Sequence, residues 1–269
     1  MSQPVADLHV HTPVSDGTLT LDELPDAARA AGVGVVAVTD HDRVHPDIEA
    51  PVVDRDGVEL IRGIELRVEP ADDAVGRVDL LGYALDPTDE LLDELERVQR
   101  DRVERGGKII ERVETHLDVD LDLEPREGIG RPHVARAVEA SEAPYDAEAA
   151  FRQLIGSDGP CFVPRDVTGF EEGAALLADS CAVVSLAHPF RYPDPEAALA
   201  LAESPHLDAV ERFYPYGREV DTDLVDRVAA EGDLLRTGGS DAHGKTLGKA
   251  GPDREAFDAF AARLSETEA

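Results

Sequence analysis

Six of the chain's nine histidines, together with several acidic residues, fall in seven short motifs that are spread over almost the whole sequence. The motifs are Asp7-Leu8-His9-Val10-His11, Ser15-Asp16-Gly17, Thr39-Asp40-His41-Asp42, Gly63-Ile64-Glu65, Arg131-Pro132-His133, Ala187-His188-Pro189 and Ser240-Asp241-Ala242-His243. Neutral imidazole and carboxylate groups together are the ligands that a cluster of divalent transition metals needs. Ligands this far apart in sequence can converge only if the chain returns repeatedly to one place. The motifs therefore constrain the architecture as well as the chemistry.

Seven short apolar runs, rich in β-branched residues, are predicted to be strands. They are residues 5–10, 33–39, 58–65, 77–85, 182–187, 207–213 and 234–239. Helical patterns separate most of them; the first, at residues 21–31, is predicted to have Thr20 as its N-cap and to stop at Gly32. The others lie at residues 195–202 and 224–231. Alternating strands and helices predict an α/β fold with a mainly parallel sheet, although the connections on either side of the fourth strand depart from this pattern.

A long segment separates the fourth and fifth runs and is predicted to be a mostly helical insertion. Residues 90–114 show a long helical pattern, which Gly106 and Gly107 are expected to loosen, and residues 132–140 and 147–155 are predicted as further helices. We therefore predict three parts. An α/β domain begins at residues 1–88, the helical insertion or cap covers residues 89–165, and the α/β domain resumes at residues 166–269, where it ends in a helix.

Most of the motifs lie at or just beyond the C-terminal ends of predicted strands, the edge that carries the active site in parallel α/β proteins. His9 and His11 are two residues apart on one strand, so they project to the same face and can bind one metal. Glu65 ends the third strand and could bridge two metals. Taken singly, each such residue could also be a buried, hydrogen-bonded histidine or a surface carboxylate. These simpler interpretations would all have to hold at once for the metal cluster to be absent.

Other residues near the motifs are less specific. His133 lies in the insertion, so it can join the cluster only if the cap reaches back to it. Three acids, Asp7, Asp40 and Asp42, are either acceptors that orient the histidines or simple loop acids. The remaining histidines have no carboxylate motif at a strand end, and we interpret them as surface residues; they are His45, His116 and His206.

The formal charge of −32, from 58 acidic and 26 basic residues, is extreme. The acidic residues are spread evenly among apolar ones, which argues against a disordered tail, and a face for a basic partner would be more clustered. We favour a surface adapted to high salt, because at about 1 M salt the Debye length falls to roughly 3 Å and self-repulsion is screened. The charge also opposes stable binding of duplex DNA, which depends on Lys and Arg.

No signal peptide is recognisable at the N-terminus, and no apolar stretch is long enough to span a membrane. We therefore expect a cytoplasmic protein that does not bind membranes. In that compartment Cys161 and Cys181 are expected to be buried, inert thiols rather than a disulfide or a nucleophile.

The motifs resemble those of the PHP (polymerase and histidinol phosphatase) superfamily of metal-dependent phosphoesterases, and the resemblance covers the whole chain. It implies a distorted seven-stranded (β/α)7 barrel, in agreement with the seven predicted strands. It also implies nine metal ligands, each of which has a match in this sequence: His9, His11, Asp16, His41, Glu65, His133, His188, Asp241 and His243. By this resemblance the first metal binds His9, His11, Glu65 and Asp241. The second binds Glu65, His133 and His188, and the third binds Asp16, His41 and His243.

Residues 130–136 and 162–165 are similar to one branch of the superfamily, whose members carry a helical insertion. That branch contains nucleoside 3′,5′-bisphosphate phosphatases and 5′→3′ exonucleases acting on short RNA. The resemblance therefore implies a phosphorylated small molecule or a short nucleic acid as substrate. In that branch the corresponding strand usually ends in apolar and aromatic residues, and residues 211–214 of this chain depart from that pattern. Two alternatives remain, a histidinol-phosphatase-like enzyme that acts on a small phosphorylated metabolite and a structural module without catalysis.

The expected chemistry is hydrolysis of a phosphate ester. Two to three divalent ions, Mn²⁺ in the first place with Fe²⁺ or Zn²⁺ as alternatives, would generate a hydroxide that attacks phosphorus in line. Glu65, Asp241 and His243 are the expected catalytic residues, and either His243 or a water protonates the leaving oxygen. Arg131 and Arg165 are candidate phosphate clamps, because a guanidinium matches phosphate oxygens, although each could equally form an ordinary surface ion pair.

Overall fold

The computed structural model describes residues 4–72 and 75–267. The chain divides into two compact units. Met1–Leu92 together with Thr168–Ala269 is called the barrel unit below, and Asp93–Val167 is called the helical unit. The predicted role of residues 89–165 as a cap stays a prediction. Within the described ranges no helix is both long enough and apolar enough to cross a membrane.

Nine strands of the described residues form one sheet in the barrel unit. They are β1 (Ala6–Val10), β2 (Val35–Val38), β3 (Val52–Arg55), β4 (Val58–Glu69), β5 (Val78–Tyr83), β6 (Thr168–Gly169), β7 (Val183–Leu186), β8 (Ala209–Phe213) and β9 (Leu235–Gly238). Seven follow one another in the order β1-β2-β4-β5-β7-β8-β9, while β3 and β6 pair with β4 outside this path. These seven are the predicted strands. The short β3 and β6 were not predicted, because β3 has only four residues and only a half-buried apolar pattern, and β6 has only two.

The sheet is mainly parallel, with one reversal in its main path. β1, β2 and β4 run parallel, as do β7, β8 and β9, whereas β5 is antiparallel to both of its neighbours. The reversal accounts for the irregular connections around the fourth predicted strand. It also lengthens β4, because pairing with β5 continues from Gly63 to Val68.

The sheet curls until its first strand meets the segment that follows its last. Val10 forms a parallel bridge with Ala242, and the His11 amide donates to the Ala242 carbonyl at 3.0 Å. In return, the Ala242 amide donates to the His9 carbonyl at 3.2 Å. The predicted distorted seven-stranded barrel is therefore confirmed, and its closure brings the first and last motifs into backbone contact.

Five helices of the barrel unit pack around the sheet: α1 (Leu24–Ala31), α5 (Phe170–Ser180), α6 (Pro195–Ala200), α7 (Thr222–Gly232) and α8 (Arg254–Thr267). The predicted N-cap of α1 is wrong. Thr20 opens a preceding turn in which the Glu23 carboxylate accepts from the Thr20 amide and hydroxyl, so that α1 begins only at Leu24. The predicted stop is correct, because Gly32 adopts a left-handed φ of 72°. With no Trp in the chain, the largest buried side chains are Tyr83 and Phe260 of α8, whose rings meet edge to face at 5.2 Å.

The helical unit contains α3 (Arg131–Ala140), α4 (Ala147–Gln153) and most of α2 (Asp89–Leu117). Gly106 and Gly107 lie within α2, which continues past both of them, and their loosening effect stays a prediction. A methyl group on Gly106 would lie 2.8 Å from Cγ2 of Ile129, so the glycine allows a close approach of the chain to the helix. The three helices enclose their own apolar core, which includes Ile109, Val113 and Val138.

Candidate metal centre

Eight of the nine predicted ligands lie together in the barrel unit. They fall into three overlapping groups whose ligand atoms lie within 4.8 Å of one another: His11, Asp16, His41 and His243; His9, His11 and Asp241; and His9, Glu65 and His188. They come from five places along the barrel. His9 is in β1, Glu65 is in β4, and the others follow β1, β2, β7 and β9. The curled sheet therefore collects side chains that are far apart in sequence.

Glu65 lies at the centre of this arrangement. Its Oε1 atom lies 3.0 Å from Nε2 of His188 and 3.3 Å from Nε2 of His9. Its Oε2 atom lies 2.7 Å from Nδ1 of His41 and 3.4 Å from Nε2 of His11. The two oxygens therefore face different histidines. Because β4 continues to Glu69, Glu65 is inside the strand and 1% exposed, and not at the strand end as predicted.

Asp241 and Asp16 supply the other two carboxylates. Oδ1 of Asp241 lies 3.2 Å from Nε2 of His11 and 3.4 Å from Nδ1 of His243. Oδ1 of Asp16 lies 3.2 Å from Nε2 of His243 and 3.9 Å from Nε2 of His41. Each of the five histidines thus has at least one carboxylate neighbour, and each of the three carboxylates has at least two histidine neighbours.

The backbone at two of these residues is held in a left-handed conformation that only glycine adopts readily. The φ angle is 47° at Asp241 and 28° at His188. Such conformations cost roughly 1–3 kcal/mol each and persist where the surroundings impose them, often at functional sites. Asp241 lies just after β9, and His188 lies just after β7. At both positions this backbone directs the side chain toward Glu65 and the first histidines.

The donor atoms fit divalent metal ions in two respects. First, Nε2 of His9 and Nε2 of His11 are buried and have no hydrogen-bond partner within the described part of the chain, which is costly unless a ligand is bound. Second, ligands about 2.0–2.1 Å from a tetrahedral ion lie about 3.3 Å from one another. The contacts of Glu65 and Asp241 with His9 and His11 span 3.2–3.7 Å. The residues present therefore suit the metals that the motifs predict.

Burial and mutual attraction together set the ionisation of the cluster. Burial raises the pKa of Glu65, but the neighbouring His41 and His9 outweigh this effect and hold it well below its usual value. Burial also raises the pKa of Asp241, but His9 and His11 lower it further, so this pKa is likewise well below its usual value. Burial lowers the pKa of His9, but the charges of Glu211, Glu65 and Asp241 raise it well above 6.5. The carboxylates are therefore anionic, as metal ligands must be.

Glu211 is a buried partner of the cluster that sequence reasoning missed. It lies in β8 and is fully buried. Its Oε1 atom lies 3.1 Å from Nδ1 of His9, and its Oε2 atom accepts the backbone amide of His188 at 2.7 Å. A carboxylate behind an imidazole fixes the ring orientation and leaves the other nitrogen for a metal. The available signal was the departure of residues 211–214 from the apolar-aromatic ending that the resemblance implies.

Arg191 and Tyr214 were also missed, and both contact Asp241. The Tyr214 hydroxyl donates to Oδ2 of Asp241 at 2.7 Å, and Nη1 of Arg191 donates to the same oxygen at 2.8 Å. Oδ2 is therefore engaged by these two side chains, while Oδ1 faces His11 and His243. The two contacts orient the carboxylate and supply one positive charge beside it.

The acids of the first and third motifs hold loops together. Asp7 accepts the amides of Ser240 and Gly248 at 2.8 and 2.9 Å, which ties the Asp241 segment to β1. Asp40 accepts from the amide and hydroxyl of Thr12 and from the hydroxyl of Ser15. Asp42 accepts the amide of Arg67 at 3.0 Å.

Two further predictions concern single side chains outside the cluster. The prediction that His45 is a surface residue is wrong. Its side chain is only 5% exposed and lines a recess together with Pro13, Val14 and Leu21. Cys161 is buried and Cys181 is half-buried, both are free thiols, and burial raises the pKa of each.

The remaining predicted site residues belong to the helical unit. His133 lies in the first turn of α3, where its Nδ1 atom accepts the amide of Gly130 at 3.1 Å; its ligand role stays a prediction. Arg131 stacks over the ring of Phe151 at 4.8 Å, and Arg165 is 9% exposed. Burial and then the charges of Arg131, Arg165 and Arg102 lower the pKa of Arg105 to about 9. Arginines therefore concentrate positive charge in this unit, and their role as phosphate clamps also stays a prediction.

Comparison with known proteins identifies the family. Residues 7–157 match the model of the PHP domain. A 3′,5′-nucleoside bisphosphate phosphatase of Chromobacterium violaceum is 30% identical over 196 residues, 69% of this chain and 67% of that protein. A phosphoribosyl 1,2-cyclic phosphate 1,2-diphosphodiesterase of Eggerthella lenta is 28% identical over 90% of this chain and 95% of its own length. A 5′-3′ exoribonuclease of Haemophilus influenzae is 28% identical over 69% of each chain.

Solved structures agree with this result. A protein of Bifidobacterium adolescentis assigned as a metal-dependent phosphoesterase superposes with a TM-score of 0.79 and 26% identity, over 97% of this chain and 98% of that one. The matching fold, the family model and the clustered imidazoles and carboxylates lead to one conclusion: the chain belongs to the PHP domain family and is a metal-dependent phosphoesterase.

Proposed function

We propose that this enzyme hydrolyses phosphate esters of nucleotides, either nucleoside 3′,5′-bisphosphates or short 5′-phosphorylated oligonucleotides. The observation that carries the proposal is the position of Glu65, whose two oxygens face different histidines in the centre of eight clustered ligands. A carboxylate in this position can bridge two ions. The relatives named for a bisphosphate nucleotide and for RNA support the substrate class.

We further propose that two to three divalent ions are held by the nine residues of the motifs, with His133 as the ninth. Mn²⁺ is the first choice and Fe²⁺ or Zn²⁺ the alternatives, because mixed imidazole and carboxylate ligands suit all three. Such ions, when bound, would activate water as a nucleophile and stabilise charge on the phosphate oxygens. Arg131 and Arg165 would bind phosphate through their guanidinium groups.

The residues of the chain contribute orientation and proton transfer. Glu65 and Asp241 fix the positions of the imidazoles around them, and Glu211 holds the His9 ring from behind. His243 lies between Asp16 and Asp241, at 3.2 and 3.4 Å, and attraction to both raises its pKa despite burial, which lowers it. Either His243 or a water would protonate the leaving oxygen.

A phosphate-release screen in high salt with Mn²⁺ tests this proposal. Adenosine 3′,5′-bisphosphate and a 5′-phosphorylated dinucleotide should be cleaved faster than histidinol phosphate. Phosphoribosyl 1,2-cyclic phosphate belongs in the same screen, because the Eggerthella lenta relative, which matches 90% of this chain, is named for it. Asp241→Asn should lower kcat by about 100-fold or more, since it removes charge at the reacting centre. Asp258→Asn, at an exposed position of α8, is the matched control.

Two results would contradict the proposal. Protein that holds no Mn, Fe or Zn after reconstitution would exclude the metal centre. Clear preference for histidinol phosphate or the cyclic phosphate would reject the nucleotide substrates while leaving the phosphoesterase chemistry in place.

A further inference from the structure

Aromatic side chains are scarce in this chain, which has 7 Phe, 5 Tyr and no Trp. Several of them nevertheless meet beside the metal centre, in the segments that follow β7 and β8. The ring of Tyr216 lies 4.7 Å from that of Tyr214 and 5.4 Å from that of Phe190. The ring of Tyr214 in turn lies 5.4 Å from that of His188. These contacts form a continuous path of rings from a candidate metal ligand to the surface.

A recess of about 300 Å³ opens at the outer end of this path. It is lined by Phe190, Arg191, Tyr214, Pro215, Tyr216 and Arg218. A second recess, of about 620 Å³, shares Tyr214, Pro215, Tyr216 and Arg218 with the first. The half-buried Tyr216 therefore lines two openings of the size that small ligands occupy, and the group formed by Phe190, Tyr214, Tyr216 and Arg218 is called the ridge below.

Positive charge accompanies the rings. Arg191 contacts Asp241 and the Tyr214 hydroxyl, and the exposed Arg218 donates to the Phe190 carbonyl at 2.8 Å. The guanidinium groups of Arg191 and Arg218 lie beside rings that are buried or half-buried, on a chain with a net charge of −32. The combination of arginine and stacked aromatic rings is the chemistry that binds nucleobases without strict sequence preference.

We propose that the ridge of Phe190, Tyr214, Tyr216 and Arg218 is a nucleobase site, which holds the base of the substrate while its phosphate lies at the metal centre. This inference rests on the proposed function, since it assumes a nucleotide substrate. Tyr214 of the ridge and the neighbouring Arg191 both contact Asp241. The Tyr216 hydroxyl accepts the Phe190 amide at 3.4 Å and Arg218 donates to the Phe190 carbonyl at 2.8 Å, so these contacts join both residues to Phe190 and not to a candidate ligand, and changing them leaves the contacts of the metal centre in place.

Product binding provides the test. The metal-loaded enzyme should bind adenosine monophosphate at least about tenfold more tightly than inorganic phosphate, because stacking adds to phosphate binding. Tyr216→Leu should reduce the affinity for adenosine monophosphate about tenfold and leave that for phosphate within twofold. Tyr216→Phe, which keeps the ring, should retain the difference. Binding is measured by calorimetry and, independently, by inhibition of phosphate release.

Charge is tested separately. Arg218→Ala should weaken binding of adenosine monophosphate, whereas Arg227→Ala, which removes the same charge from an exposed position of α7, should not. If Tyr216→Leu is folded and keeps the full preference for the nucleotide, the nucleobase site is rejected and the proposed function stands. If the wild-type enzyme cleaves ribose phosphates that lack a base as well as it cleaves nucleotides, the nucleotide substrate itself is rejected.

Discussion

Glu211 determines the geometry of two histidines at once. One oxygen faces the His9 ring and the other accepts the amide of His188, a residue held at a φ of 28°. A single carboxylate therefore links β1 and β8 to the segment after β7. Its contribution is orientation, since its oxygens are taken up by groups that themselves point toward Glu65.

Replacing Glu211 should weaken metal binding without removing a ligand. Glu211→Gln keeps the shape but removes the charge that fixes the ring of His9, and such changes behind a metal ligand typically lower metal affinity about 10–100-fold. The measurement is a titration of the metal-free protein with Mn²⁺ and Zn²⁺ against a competing chelator. Glu219→Gln, at an exposed position, is the control. If the metal affinity of Glu211→Gln lies within twofold of that of the wild type, Glu211 contributes to folding alone.

The residues of the centre differ in how far the sequence predicts them. The clustered histidines and acids could be found because His-x-His and Asp-x-His spacings at strand ends bring donor atoms to one face. Glu211, Arg191 and Tyr214 carry no such spacing. Their roles depend on how β8 and β7 lie beside β1 and β9, which is a property of the closed barrel.

Among the elements, β5 departs most from the predictions, and α2 is continuous across its two glycines. Hydrophobic patterns locate a strand but do not give its direction, and the direction of β5 follows from its antiparallel pairing with β4. In α2, two consecutive glycines suggest weakness because glycine is a poor helix former. The helix remains continuous because the space of the missing side chain at Gly106 is filled by Ile129.

The two glycines of α2 therefore predict a contrast between identical substitutions. Alanine gains about 1 kcal/mol of helix propensity at either position. At Gly106 the new methyl would lie 2.8 Å from Ile129, and overpacking of this kind typically costs 1–3 kcal/mol, so the propensity gain is cancelled or exceeded. At Gly107 the nearest atom, of Pro125, lies 3.3 Å away, and less must move.

Gly106→Ala should therefore be less stable than Gly107→Ala, by about 1 kcal/mol or more. The free energy of unfolding of both variants is measured in urea with far-ultraviolet circular dichroism. Each variant serves as the control for the other, because the helix and the residue change are the same. Equal free energies of unfolding for the two variants would contradict the prediction, because they would show that Ile129 moves aside without an energetic penalty.

At the scale of the whole molecule, the chain carries a strongly negative net charge of −32. The 58 acidic and 26 basic residues are mixed along the chain, and most ion pairs involve exposed side chains such as Arg100 with Glu96 and Arg254 with Asp258. Exposed pairs contribute little, typically up to about 1 kcal/mol, and salt screens them. The same salt also screens the repulsion among the excess carboxylates. This repulsion involves many more charges than the ion pairs do.

Repulsion should dominate this balance, so the protein should become more stable as salt is added. Raising KCl from 0.1 M to 2 M shortens the Debye length from about 10 Å to less than 3 Å, and each 1 kcal/mol of repulsion relieved should raise Tm by about 2–4 °C. The metal-loaded protein is heated at neutral pH in both solutions, with sucrose as a control for effects that are independent of charge. If the ion pairs outweighed the repulsion, Tm would fall with KCl instead, and the adaptation to high salt that the composition predicts would be wrong.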